Sequence, residues 1–406
     1  MGTGRIKKKT NDTIQYNEEW NVDMQVLSDI CEYRKEKIMT KEITLSNYIS
    51  TENLMPNKGG IVDASSLPTV EKIQFYQKGD VLVSNIRPYF KKIWLAKESG
   101  GCSNDILVFK SKEHVDSLYL YYVLSDDSFF DYATATSKGT KMPRGDKNAI
   151  MQYNVPKFNI AMQRKIGSLL KSIDNKIEIN KMINRNLSEQ LKSIFVESFG
   201  EEISKTKIGN SVPLGELIDV IDNRGKTPPL TMDTLEYPII DVGALRGDTR
   251  VIDLNNCTKF VDEDTYVNWF RSGHPKPWDI LLSTVGSLAE MKIFLGKKGC
   301  IAQNVVALRS KKISPLFLFQ YLQFIRNELV AYNIGSVQPS IKVTHIIKHP
   351  IFVPEEGRIK EFDELAKTIT NQIYYFLCEC ENLKKIRDGL LPKLLSGELD
   401  ISSLHI

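Results

Sequence analysis

Three residues in the second half of the chain have the types needed for phosphodiester chemistry. Asp279, followed by Glu290-x-Lys292, is the pattern with which metal-dependent nucleases place carboxylates around Mg²⁺ and aim a lysine at the phosphate. A related segment earlier in the chain argues against that reading. There Asp80 begins an equivalent strand, but Phe90 and Lys91 stand near the place of Glu290. Asp279 is therefore better explained as a turn residue ahead of a strand. Gly225-Lys226-Thr227 resembles the tail of a phosphate-binding loop, yet Val220 stands where that loop needs its first glycine. Thr227-Pro228-Pro229-Leu230 holds the only Pro-Pro pair, and it lacks the aromatic residue with which adenine methyltransferases hold a flipped base. His114, His274, His345, His349 and His405 have no Ser, Cys or carboxylate partner at a recognisable spacing. Cys31, Cys102, Cys257, Cys300, Cys378 and Cys380 form no CxxC pair, which argues against a metal site and for a reducing cytosol. The expectation is a chain with no catalytic residues, no metal and no cofactor of its own, working in the cytoplasm.

What must position such residues is set by size and pattern. The chain has 406 residues, 42% of them hydrophobic, which is enough for two or three packed domains. No apolar run approaches the ~20 residues of a membrane span. The start, with Lys7, Lys8 and Lys9, has no apolar region behind it and reads as a basic arm rather than a secretory signal. Net charge is only +4, so any affinity for phosphates depends on where the cations cluster.

The chain is built twice. Gly79-Asp80-Val81-Leu82-Val83-Ser84 corresponds to Trp278-Asp279-Ile280-Leu281-Leu282-Ser283, and Lys92-Ile93-Trp94-Leu95 to Lys292-Ile293-Phe294-Leu295. Ile106 to Lys112 likewise corresponds to Val305 to Lys311, and Leu118-Tyr119-Leu120-Tyr121 to Leu316-Phe317-Leu318-Phe319. Each copy then has a Gly/Pro loop, Gly139 to Arg144 and Gly335 to Ser340. Each closes with a strand ending in Val-Pro, at Val155-Pro156 and Val353-Pro354.

A long helical pattern follows each copy. From about Met162 to Phe199 its seam is Ile166, Leu170, Ile173, Ile177, Asn180, Asn184, Leu187, Leu191 and Ile194. The alternating steps of four and three are those of helices packed lengthwise. From Phe362 the second seam is Phe362, Ala366, Ile369, Ile373, Phe376, Cys380, Leu383, Arg387, Leu390 and Leu394. Gly389 and Pro392 should weaken or bend its end, and Gly397 should cap it. Helices of over 30 residues, about 50 Å at ~1.5 Å per residue, cannot bury a seam inside one small domain. The partner is either the other long helix, packed antiparallel, or a second chain. Asn180 and Asn184 do not decide between these.

The sequence resembles the specificity subunits of type I restriction–modification enzymes over about residues 25 to 402. The resemblance rests on the repeat, the two long helices and the ending Leu390-Leu391-Pro392-Lys393-Leu394-Leu395-Ser396-Gly397-Glu398-Leu399. It rests also on the two Asp-initiated strands and on Gln303-Asn304; the first copy has Ser103-Asn104-Asp105 in the equivalent place. It implies an α+β (mixed α/β) fold of two duplicated recognition domains with twisted mixed sheets, joined by two long antiparallel helices. The expected boundaries are an arm over 1–24, a recognition domain over 25–158, a spacer helix over 159–203, a second recognition domain over 204–354 and a second spacer helix over 355–406. The implied partners are double-stranded DNA, two methyltransferase subunits and restriction subunits. S-adenosylmethionine, ATP and Mg²⁺ would be held by those subunits rather than by this chain.

Cations, amides and aromatics in the turns are the candidates for reading DNA. In the first copy these are Arg87, Tyr89, Lys91 and Lys92 in a proline-stiffened turn, and Lys138, Lys141, Arg144 and Lys147 around the Gly/Pro loop. In the second copy they are Arg224, Lys226, Arg246, Arg250, Arg271, Gln338, Ser340 and Lys342. Arginine can engage guanine, and Gln338 adenine, through paired hydrogen bonds, while lysine more often meets phosphate.

Overall fold

The computed structural model describes residues 22–205 and 211–404, so the basic arm lies almost wholly outside the described residues. Among the described residues no helix is long and apolar enough to cross a membrane. The chain divides into two compact units, residues 1–175 with 383–406 and residues 176–382. Each unit holds one stretch of each long helix.

In the first unit, the strands Cys31–Tyr33, Ile106–Ser111, Val81–Ser84 and Ile93–Leu95 lie side by side in that order, and every pairing is antiparallel. The apolar run Val81-Leu82-Val83 follows from burial on both faces. Val81 and Val83 join a core with Phe109, Tyr119 and Phe129. Leu82 points the other way, against Trp94, Val108 and Tyr76. A smaller sheet of Lys37–Met39, Lys72–Tyr76, Gly100–Cys102 and Tyr48–Ile49 covers that second face, and it is mixed, with one parallel pairing.

The second unit repeats the plan. Ile218–Ile221, Val305–Ser310, Ile280–Ser283 and Met291–Ile293 form its antiparallel sheet. Ile280 and Leu282 face one core and Leu281 the other. Its smaller sheet, Phe260–Val261, Tyr237–Ile240 and Cys300–Ile301, again has one parallel pairing. In both units the mixed character sits in the small sheet and the large one is purely antiparallel.

The long helices run Ile160–Phe195 and Glu356–Leu395. Within the first unit, Ile166 and Leu170 share a core with Leu391, Leu394 and Leu395, and Arg387 Nη1 binds Asp174 Oδ1 at 2.7 Å. Within the second unit, Asn180 Nδ2 donates to Glu379 Oε2 (2.6 Å) and Asn184 Nδ2 to the Ile373 carbonyl (3.2 Å). There Leu191 and Phe195 pack with Phe362 and Ala366. In each unit the contacts climb one helix as they descend the other, so each seam is paired antiparallel within the chain.

Pro392 lies inside the second helix, which continues past it to Leu395. Its missing N–H costs one bond in the last turns, while buried Leu391, Leu394 and Leu395 hold those turns against the first core. Gly397 does adopt the left-handed conformation expected of a cap, φ 75°. The first helix loosens into a π-turn over Val196–Gly200, just past the last seam residue Ile194 and before the expected end near Phe199.

Candidate nucleic-acid interface

In the first unit, separate loops are tied together at one end of the large sheet. The turn after Val81–Ser84 is bound to the loop before Ile106–Ser111, because the Asn85 N–H donates to the Asp105 carbonyl (2.8 Å). The Gly/Pro loop joins through the Arg87 N–H to the Pro143 carbonyl (2.8 Å) and the Gly145 N–H to the Asn85 carbonyl (3.1 Å). Asn57 and Lys58 dock from a fourth segment, donating to the carbonyls of Phe90 and Lys91 (2.8 Å each).

The second unit uses the same bonds. The Thr284 N–H donates to the Asn304 carbonyl (2.9 Å), the Gly286 N–H to Pro339 (2.9 Å) and the Ile341 N–H to Thr284 (2.8 Å). Arg246 joins through Ser287 Oγ (3.2 Å), and the loop with Arg224 and Lys226 through Gln303 Nε2 to Thr227 Oγ1 (3.2 Å). Asn223 links that loop to Ser272 and Gly273, next to Arg271. The sequence candidates, spread from Arg87 to Lys147 in one copy and from Arg224 to Lys342 in the other, thus converge on one loop cluster per unit, Lys92 and Arg250 excepted.

Their availability differs. Tyr89, Lys141 and Lys147 are exposed, and neither lysine has a side-chain partner among the described residues. Lys138 pairs with Asp146 (2.5 Å) and Arg144 with Asp105 (3.1 Å); both cations remain exposed. Lys138 and the N–H groups of Ala149 and Asn148 hold the Asp146 carboxyl below its ordinary range. Lys91 shares Asp127 with Lys58, each at 2.9 Å. In the second unit Lys226, Arg271, Gln338 and Lys342 are exposed, Arg224 is exposed but paired with Asp222, and Ser340 is half-buried.

Two candidates are corrected outright. Lys92 turns inward, where its Nζ donates to the Thr51 carbonyl and burial depresses its pKa. Arg250, at 4% exposure, is inside the second unit. It lies over the Phe319 ring (4.5 Å) and bonds Thr370 Oγ1 (3.0 Å) and Gln320 Oε1 (2.6 Å), with burial lowering its pKa to about 9.

The nuclease-like trio is likewise structural. Asp279 accepts the Lys276 N–H (2.7 Å) and pairs with Arg309 (2.7 Å). Its counterpart Asp80 accepts the Gln77 N–H (2.7 Å) and pairs with Arg34 (2.5 and 3.0 Å). Both aspartates thus close the turn before a strand. Glu290 pairs with Arg326 (2.8 Å). Lys292 Nζ donates to the carbonyls of Gly247 and Thr249, and burial lowers its pKa to about 8. Among the described residues no cluster of metal-ligating side chains occurs.

Residues 17–189 match the family model described as type I restriction modification DNA specificity domain. The chain is 26% identical over 385 residues to the type I restriction enzyme MjaVIII specificity subunit of Methanocaldococcus jannaschii, covering 88% of this chain and 87% of that one. It is 23% identical over 353 residues to the MjaIX specificity subunit of the same organism, covering 82% and 80%. Over most of its length the chain is similar to type I restriction–modification specificity subunits. The fold agrees with a crystal structure of a type I S subunit from M. genitalium, with a TM-score of 0.53 at 17% identity, covering 96% of this chain and 99% of that one. Such a subunit is non-catalytic, and catalysis lies on partner subunits.

Several residues of the two loop clusters escaped sequence reasoning. Asn57, Lys58 and Asp127 belong to the first cluster through bonds across more than thirty positions, a relation no local spacing reveals. Ser287 and Asn304 belong to the second; the Gln303-Asn304 pair was the available signal. Asn180 and Asn184 are buried, and each keeps a buried Oδ1 with no partner among the described residues. Thr370, the Arg250 partner on the second helix, was missed because it lies beside the heptad positions rather than on them.

Proposed function

We propose that this specificity subunit reads a split, gapped site on double-stranded DNA, with one loop cluster for each half. The observation that carries the reading is the pair of clusters built on the same backbone bonds but bearing different side chains. The first offers Arg87, Tyr89, Lys141 and Arg144; the second offers Lys226, Gln338 and Lys342. A shared scaffold with unlike tips suits two different half-sites. Val337, 98% exposed beside Gln338, has the chemistry to meet a thymine methyl while the amide meets adenine.

In this reading the long helices set the gap between half-sites and give two methyltransferase subunits their docking surface, with restriction subunits joining the complex. S-adenosylmethionine belongs to the methyltransferases, and ATP and Mg²⁺ to the restriction subunits. The complex works on chromosomal DNA in the cytoplasm. A genome-wide adenine-methylation map tests this, taken with the neighbouring methyltransferase present and this gene present or deleted. Loss of methylation at a split motif on deletion is expected. Unchanged methylation would overturn the reading.

A further inference from the structure

The two copies provide an internal control for one residue. Arg87 and Gly286 occupy the same place: each follows the residue bridged to the Gly/Pro loop, Ile86 to Arg144 and Val285 to Ser340. Each donates its N–H to that loop's proline, Pro143 or Pro339. Both are left-handed, φ 50° at Arg87 and 87° at Gly286. Glycine adopts that conformation without steric penalty, whereas an L side chain does not. At Gly286 an added Cβ would meet nothing closer than 4.0 Å, so space does not dictate the choice of glycine there.

The Arg87 side chain shows no compensating contact. Among the described residues it has no ion pair and no side-chain hydrogen bond, and its Nε is buried without a partner. The backbone around it is fixed: Pro88 follows, the Phe90 N–H returns to the Arg87 carbonyl (3.0 Å), and Lys91 is again left-handed. Exposed Tyr89 and Phe90 stand on the same turn, 46% and 38% accessible. A strained, rigid, unpaired guanidinium beside exposed aromatics and cations is what binding demands and folding does not.

We infer that Arg87 is a specificity-determining residue of the first unit, presenting its guanidinium fork to a guanine edge, and that the second unit, with Gly286 there, reads its half-site without an equivalent arginine. The inference rests on the split-site reading above. Its test is selection of preferred duplexes by the full chain in complex with its methyltransferase, as wild type, Arg87→Gly and Arg87→Lys. Wild type should select a split motif; failure to do so sinks the split-site reading itself, before any variant is considered. Arg87→Gly should melt no lower than wild type and lose roughly 5- to 150-fold discrimination at one guanine of one half-site, leaving the other half intact. Arg87→Lys should lose the same discrimination while retaining affinity for unrelated duplex. Three outcomes overturn the inference: a uniform loss of affinity with base preference kept, which marks a phosphate contact; full preference in Arg87→Lys; or a lowered melting temperature with both halves lost, which marks a structural role.

Discussion

The two units solve one folding problem with different side chains, and the differences separate what the scaffold needs from what recognition needs. Asp80 and Asp279 close the same turn, but the arginine that neutralises each comes from a different strand region. Arg34 follows the edge strand Cys31–Tyr33, whereas Arg309 lies on the central strand Val305–Ser310. Lys92 and Lys292 both bury an ammonium against loop carbonyls. These positions are conserved in role across the repeat and belong to the scaffold. The turn tips, by contrast, are unlike: Arg87 against Gly286, and Asp146 against Lys342 at the cap of the following short helix.

The largest expected effect concerns the paired arginines. The Arg34 and Asp80 side chains are 6% and 5% exposed, while Arg309 is 30% exposed. Arg34→Ala should cost ~3–5 kcal/mol because it leaves a buried carboxylate unpaired. Arg309→Ala also strands a buried carboxylate, Asp279 at 4% exposure, but should cost less, about 1–2 kcal/mol, since the arginine it loses is itself 30% exposed and water can enter its place. Hydrogen exchange followed separately in the two large sheets measures both, and equal losses would break the comparison.

Next in size is a pH dependence. Burial lowers Lys292 to about 8, so between that value and the ordinary lysine pKa the unfolded chain binds more protons than the folded one. The burial penalty is thus present in full below about pH 8, and stability relative to Lys292→Met rises as the pH increases above it, by up to about 3 kcal/mol. Lys92, shifted in the same direction by the same cause, should behave alike when compared with Lys92→Met. Melting curves from pH 7 to 10 check the sign; a wild-type stability that falls relative to Lys292→Met as the pH rises would contradict it.

The smallest effect sharpens the contrast at the tips. Asp146 caps its helix through the N–H groups of Asn148 and Ala149, whereas Lys342 caps nothing. Asp146→Ala should lose ~1 kcal/mol. Lys342→Asp should gain a comparable amount while making DNA binding weaker and less salt-dependent, which titration at several salt concentrations would show. A stability loss on Lys342→Asp would remove the lysine from the recognition surface.

Much of the fold was legible in the sequence because duplication writes each scaffold position twice. Val81-Leu82-Val83 and Ile280-Leu281-Leu282 mark the strands buried on both faces, and the four-and-three spacing marks the long helices. Antiparallel pairing of the seams followed from the family resemblance and not from the seam residues, since Asn180 and Asn184 suit any register until Glu379 and Ile373 are seen opposite them. Arg250 and Lys92 were misplaced on the surface because a cation near glycine or proline looks solvated in sequence. Their long side chains fold back to ring faces and carbonyls that only tertiary structure supplies. Lys58 and Asp127 were invisible for the same reason, being joined to the first cluster entirely by distant partners.

The central claim is that each loop cluster governs one half of the site. A methylation map from cells carrying Gln338→Ala with Lys342→Ala in the otherwise intact chain, beside wild type, tests it most directly. Base preference should change in one half of the split motif, with the other half and the gap unaltered. Change in both halves, or in neither, would contradict the account.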